Sequence, residues 1–144
     1  MGSKVTLRQW VTIGLALAGL ALVYVFQRVD YVGVLAGALG LGSPSPNWTF
    51  AVNKTLRMVA NDLLCLVVVR AWFADPQVTR LAWWVFAFEL LVLLPAYLVV
   101  KLWLEGPTEF SVPWLQQVHR LVVNPMLMIL LIFSLWYHKH LNDK

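Results

Sequence analysis

The sequence predicts an all-α integral membrane protein built as a bundle of four membrane-spanning helices. Hydrophobic residues make up 60% of the 144-residue chain and charged residues 12%, whereas a soluble domain carries about 25% charged residues. Mean hydropathy is +0.73. Eight tryptophans are typical of the aromatic belts that mark the two membrane–water interfaces. We therefore interpret residues 1–144 as a single transmembrane domain.

The predicted spans cover residues 10–26, 56–73, 81–103 and 115–137. In the first span, Gly14 and Gly19 suit close packing against another helix. Arg28 and Asp30 follow this span where a signal peptide would have a small-residue cleavage site, so we expect the span to remain uncleaved. The apolar, Gly-rich segment 29–42 is too short for a span, and we interpret it as interfacial or re-entrant.

The third and fourth spans each contain a proline that predicts a distortion of the helix. Pro95 is expected to kink the third span just beyond Glu89. Asn124 and Pro125 match a helix start, with Asn at the N-cap and Pro at the first helical position. Because Met126–Tyr137 alone is too short to cross a bilayer, the last span is predicted to be one helix, kinked or broken at Asn124-Pro125.

Polar side chains enter the second predicted span along one ridge. Asn53, Arg57 and Asn61 follow one another at i, i+4 and i+8, and Asp62 lies beside them. An ionised side chain at the bilayer centre costs about 2.5–3.5 kcal/mol or more, so we expect this stripe to face other helices or a wet cavity. For Arg57, the alternative is that its side chain snorkels into the headgroups. Arg120-x-x-x-Asn124 repeats the spacing of Arg57 and Asn61.

Glu89 lies near the middle of the third predicted span, where acids are rare and often functional. A carboxyl group at this depth is either protonated or paired. It is a candidate proton relay of a small transporter or proton-linked channel, or the partner of Arg57 or Arg120. The alternative, which we favour, is an interhelical hydrogen bond that fixes the packing, because four short spans make a poor transport path.

The single cysteine, Cys65, excludes an intramolecular disulfide and a cysteine-based metal cluster. A membrane-embedded thiol enzyme can be assembled on paper from Cys65, His119, Arg120 and Glu89, since a thiol nucleophile needs a base or cation nearby. However, Cys65 lies within Leu-Leu-Cys-Leu-Val, where a cysteine usually acts as a small hydrophobe. We therefore predict no catalytic residue, metal site or cofactor.

The net charge of +4 does not indicate nucleic-acid binding, because the basic residues are scattered near span ends. We expect them to meet lipid headgroups. With four spans, both termini share one side, and the side richer in Lys and Arg is predicted to be cytoplasmic. That side carries Lys4, Arg8, Arg70, Arg80, Lys139 and Lys144, against Arg28, Lys54, Arg57, Lys101 and Arg120 on the other.

The C-terminal run Val123-Asn124-Pro125-Met126-Leu127-Met128-Ile129-Leu130-Leu131-Ile132, followed by Trp136-Tyr137, resembles the end of the small exosortase-associated membrane proteins. These are the exosortase F and exosortase X system-associated proteins of bacteria. The polar start of the second span, with Arg57, Asn61 and Asp62, resembles that family more loosely. The family pattern has a proline shortly after the apolar run, where this chain has Phe133-Ser134.

The resemblance implies a non-catalytic accessory protein of an exosortase-type protein sorting and export system, located in the bacterial inner membrane. It implies an exosortase-type membrane enzyme as partner, and leaves a homo-oligomer possible. We expect interhelical and partner contacts to involve the polar stripe, the third-span acid and the break, that is Arg57, Asn61, Asp62, Glu89, Arg120, Asn124 and Pro125. The thiol enzyme and the Glu89-centred transporter remain the alternatives.

Overall fold

The computed structural model describes residues 6–142, and the regular structure of that range is helical, with no strand. Its elements are α1 (Leu7–Val25), α2 (Tyr31–Ala38), α3 (Pro46–Phe73), α4 (Pro76–Phe88), a π-helical segment (Glu89–Leu93), α5 (Leu94–Leu104), α6 (Pro113–Val123) and α7 (Met126–Asn142). The all-α prediction is confirmed. Lys4 and Lys144, which enter the predicted charge bias, lie outside the described residues.

Local capping explains where the long helices begin and end. The Thr6 side chain accepts a hydrogen bond from the Gln9 amide, and the Gln9 side chain accepts one from the Thr6 amide, which forms a capping box for α1. Ser45 and Asp75 cap α3 and α4 by accepting a hydrogen bond from the Trp48 and Gln77 amides, and each is followed by a proline at the first helical position. Ala74, with φ of 50°, ends α3 in the left-handed conformation and makes the tight turn into α4.

Two continuous helical stretches are long and apolar enough to cross a membrane, Leu7–Val25 and Pro76–Leu104. A third span exists if α6 and α7, which meet at an angle of 61°, cross together as one bent pair. The break predicted at Asn124-Pro125 is therefore present. In the third predicted span, the structure shows a π-helical turn over Glu89–Leu93, which ends directly before Leu94 and Pro95.

Helix α3 differs from the predicted second span. It begins at Pro46, well before residue 56, and it is not among the helices apolar enough to span by composition. Three charged residues, Arg57, Asp62 and Arg70, fall within the predicted span 56–73 and cause this result, although the 28 residues of α3 reach about 42 Å at 1.5 Å per residue. The structure thus shows two or three apolar spans, and the four-helix arrangement stays a prediction.

Helix α3 is also the centre of the fold, because α1, α2, α4, α5, α6 and α7 all contact it. Two apolar clusters surround it. The first contains Met58, Leu94, Tyr97, Leu115, Val122 and Val123. The second contains Cys65, Leu66, Val69, Ala82, Phe86 and Met128. The short helix α2 lies against the start of α3, consistent with an interfacial segment rather than a span.

The α1–α3 interface depends on one of the two glycines of α1. A Cβ added at Gly19 would lie 3.0 Å from Leu64 Cδ2, whereas a Cβ at Gly14 would meet nothing within 4 Å. We expect Gly19→Leu to lower the thermal unfolding midpoint in detergent, because overpacking costs about 1–3 kcal/mol. Gly14→Leu is the matched control and should leave the midpoint within error. Equal effects of the two changes would show that α1 does not pack on Leu64.

Candidate functional site

The polar ridge of α3 connects four separate parts of the chain. From its N-terminal end, successive side chains contact the start of α2, the loop between α5 and α6, the α6–α7 break and the π-helical segment. The stripe therefore faces protein, as its position in an apolar chain requires. We call the end of the molecule formed by residues 26–45 and 105–112 the loop end.

The α6–α7 break is held by two side chains of the ridge. Arg57 Nη2 donates a hydrogen bond of 2.9 Å to Asn124 Oδ1. Asn61 Nδ2 donates one of 3.3 Å to the backbone carbonyl of Val123. A carbonyl released where a helix ends needs a partner in an apolar environment, and Asn61 provides it. The polar stripe and the break therefore contact each other directly.

At the loop end, two further side chains of the ridge tie down the irregular segments. Asn53 donates to Asp30 Oδ1 at 2.7 Å and accepts from the Val32 amide at 3.2 Å. Lys54, which is buried, forms an ion pair of 3.0 Å with Glu109, whose side chain is 75% exposed. These contacts fix the two loops relative to α3.

The ridge and the loops enclose a polar cleft of about 410 Å³ at the loop end. Three cations line it, namely Arg28, Lys54 and Arg57, together with the anions Asp30 and Glu109. Hydrogen bonds from the Gly33 amide and from Asn53 hold the pKa of Asp30 below its ordinary value. Both anions already have partners on the chain. Arg28 is exposed and is the cation most available to an anionic group that enters the cleft.

The α5–α6 connection is anchored by a buried lysine that the sequence analysis did not select. Lys101 is 1% exposed and pairs with Glu105. It also donates to the Phe110 carbonyl and to Ser111 Oγ, each at 2.7 Å. The i, i+4 spacing of Lys101 and Glu105 indicates that the two can pair, but the loop partners Phe110 and Ser111 show no such spacing.

A second polar contact missed from the sequence joins α5 to α6. Tyr97 Oη lies 2.8 Å from His119 Nδ1, and both side chains border a smaller cavity of about 140 Å³ beneath the loop. His119 was considered above as part of a thiol site with Cys65. The structure instead pairs its ring with a tyrosine hydroxyl.

Asp62 and Glu89 meet in the middle of the molecule. Their side chains are 1% and 0% exposed, and the two carboxyl groups lie within hydrogen-bonding reach of each other. Neither Arg57 nor Arg120, which were the alternative partners for Glu89, lies beside it; its neighbour Asp62 is on α3, which fits the favoured alternative of an interhelical contact. Arg57 is bonded to Asn124, while the Arg120 side chain is exposed.

The remaining predicted residues take structural positions. Pro125 lies between α6 and α7, and its carbonyl accepts the Ile129 amide at 2.9 Å. Cys65 is 2% exposed within the second apolar cluster, and its ionisable neighbours are Asp62 and Glu89. Carboxylates oppose the formation of a thiolate, so this environment does not activate the thiol. Within residues 6–142, there is no group of three or more metal-ligating side chains able to hold a metal ion.

The chain matches no protein-family model, no curated protein and no solved structure.

The contact between Arg57 and Asn124 predicts energetic coupling of these two residues. We expect Arg57→Ala and Asn124→Ala to be non-additive in unfolding free energy, with a coupling of about 1 kcal/mol, the scale of interhelical hydrogen bonds in membrane proteins. Arg120→Ala combined with Asn124→Ala is the matched control. Arg120 is also an arginine and is only four residues from Asn124, but its side chain is exposed. A coupling as large in the control would contradict the assignment.

The α5–α6 loop is expected to loosen in acid. The Lys101 ammonium, then the Val112 amide, hold the pKa of Glu105 below its ordinary value of 4.5. Protection of the Val112 amide, which donates to Glu105 Oε1 at 2.7 Å, should be complete above pH 4.5 and be lost as the pH falls through the folded-state pKa. Hydrogen-exchange protection factors measure this, and Glu105→Gln should remove the pH dependence. Glu109→Gln should retain it.

Proposed function

We propose that this chain is a non-catalytic accessory protein of an exosortase-type protein sorting and export system in a bacterial inner membrane. The observation that carries the proposal is the direct contact of Arg57 with Asn124. The two stretches that resemble the exosortase-associated proteins lie 67 residues apart in the chain, yet their polar residues meet in one site. A shared site gives a physical reason for both stretches to occur together.

In this proposal, the site presents a surface and performs no reaction. Arg57 and Asn61 hold the break between α6 and α7. Asn53 and Lys54 hold the loops, so the polar cleft keeps its shape. Arg28 at its exposed edge then contacts either the partner enzyme or the polar flank of a substrate's transmembrane tail. Charge at the rim of a contact mainly sets partner choice and association rate.

The topology that goes with this function places both termini in the cytoplasm and the loop end on the opposite side of the membrane. The direction of α1 and α3 supports part of this arrangement, because Arg8 and Gln9 at the start of α1 lie beside Arg70 and Ala71 at the end of α3. The start of α1 and the end of α3 therefore share one end of the molecule, opposite the cleft.

The two alternatives draw unequal support from the structure. A thiol enzyme would require Cys65 to meet a cation or base, and its carboxyl neighbours do not serve that role. A transporter or proton-linked channel centred on Glu89 has a specific observation in its favour, the second carboxyl group of Asp62. Within residues 6–142, however, apolar side chains enclose both carboxyl groups, so the structure shows no route for a proton from either carboxyl group to a membrane surface.

The test is affinity purification of the tagged chain from its native membranes in mild detergent, followed by mass spectrometry. We expect an exosortase-type membrane enzyme in stoichiometric amount. Arg28→Glu should lower its recovery about tenfold or more, which corresponds to about 1.4 kcal/mol. Arg80→Glu, an equally exposed arginine at the other end of the molecule, should leave recovery unchanged.

Two results would contradict the proposal. Recovery of the chain alone or as a homo-oligomer would remove the accessory function. Equal loss of the enzyme with Arg28→Glu and Arg80→Glu would remove the cleft from the contact, because a general effect of charge reversal would then explain both.

A further inference from the structure

Three of the four oxygens of the Asp62 and Glu89 carboxyl groups are buried without a donor. Both Glu89 oxygens and Asp62 Oδ2 receive no hydrogen bond from any N–H or O–H group of residues 6–142. Buried polar atoms in native proteins are nearly always satisfied, so this exception requires an explanation. The two groups lie within hydrogen-bonding reach of each other, yet two ionised carboxylates are both acceptors and cannot bond.

Among residues 6–142, no lysine or arginine forms an ion pair with either carboxyl group. Asp62 lies one turn from Met58 of the first apolar cluster and one turn from Leu66 of the second. Leu90, next to Glu89, packs against both clusters. Glu89 is 13 residues from Pro76 and 15 from Leu104, about 20 Å from either end of this helical stretch. That depth is the middle of a hydrocarbon layer about 30 Å thick.

The titratable and charged groups of the elements around the pair have other partners or lie away from it. On α4, Arg80 is exposed and lies near the α3–α4 turn. On α3, Cys65 is the ionisable neighbour of the pair, and Arg57 is bonded to Asn124. On α5, Tyr97 contacts His119 of α6, and Lys101 is held by its loop. The part of α7 that packs here contributes Met128, Leu131 and Ile132. Helix α1 contributes Leu20.

A single proton resolves the arrangement. If both groups were ionised, two like charges would lie side by side in an apolar core, which is strongly unfavourable. With one proton bound, the protonated group donates an O–H···O⁻ hydrogen bond to the other, a short and strong type of bond. Proton sharing between two adjacent carboxyl groups is the established solution in aspartic proteases. A metal ion fits less well, because two carboxyl groups supply too few ligands for the hard cations that prefer oxygen.

We propose that Asp62 and Glu89 form a membrane-embedded proton-binding site, in which one exchangeable proton is held between the two carboxyl groups. Glu89 also opens the π-helical turn Glu89–Leu93, a distortion of α-helices that is frequent at functional sites. The site is separate from the loop-end cleft and does not depend on the accessory function. Its ligand is the proton itself, and uptake or release changes the charge of the core by one unit.

The test is infrared spectroscopy of the purified full-length chain reconstituted in lipid. We expect a protonated-carboxyl C=O band equal to one group per chain at neutral pH, where exposed carboxyl groups are ionised. The band should shift in heavy water, disappear reversibly as the pH is raised, and be lost in Glu89→Gln and in Asp62→Asn. In each variant, the new amide donates to the remaining carboxylate, so the packing is retained. Glu109→Gln, which removes an exposed carboxyl group, should leave the band unchanged.

Several outcomes would overturn the proposal. Absence of the band in the folded wild-type protein at neutral pH would do so without any variant. A band that both core variants retain would place the proton elsewhere. If the variants fail to fold, carboxyl ¹³C labelling of glutamate or aspartate in the wild-type protein assigns the band instead. A band that persists in alkali until the protein unfolds would show a fixed hydrogen bond rather than an exchangeable proton.

Discussion

The structure depends on the polar ridge of α3, because an apolar environment gives its side chains no alternative to partners within the protein. In water, Asn53, Arg57 and Asn61 would be solvated on the surface and would organise nothing. In a chain with this hydropathy, each of these side chains instead forms hydrogen bonds with a segment between helices or at a helix end. The ridge thus holds the start of α2 and the α6–α7 break, whose positions helix packing alone does not determine.

The apolar part of the fold follows a simpler rule. Lipid tails are as apolar as leucine side chains, so hydrophobicity alone does not hold transmembrane helices together, and close packing has to contribute. Gly19 allows the Leu64 side chain to approach α1 closely, which gives the α1–α3 interface a defined register. Polar contacts at the loop end and tight packing near the other end of α3 therefore stabilise different parts of the same helix.

The sequence was sufficient to predict an all-helical chain, two or three of the four spans and the break at Asn124-Pro125, because composition, caps and prolines act locally. It was also sufficient to predict that the Arg57 stripe faces protein. It favoured an interhelical hydrogen bond for Glu89 but could not name Asp62 as the partner, because periodicity gives no information on which helices meet. It also missed Lys101, whose partners lie on a loop without periodicity. Helix α3 was underestimated in length, since its polar first half does not look like a span.

The polar cleft at the loop end and the Asp62–Glu89 pair lie at different depths, and depth determines what each site can do. At the loop end, Lys54 is buried, but its partner Glu109 is 75% exposed and Arg28 is exposed, so these charges remain within reach of solvent. Exposed charge of this kind suits the recognition of another protein that we propose for the cleft. Between the apolar clusters, charge cannot be exchanged for solvent, so the two carboxyl groups are compatible with burial only when their charge is reduced. A proton is small enough to do this without opening the core. In the two proposals, partner recognition uses the cleft and proton binding uses the interior, because only the cleft keeps its charged groups within reach of solvent.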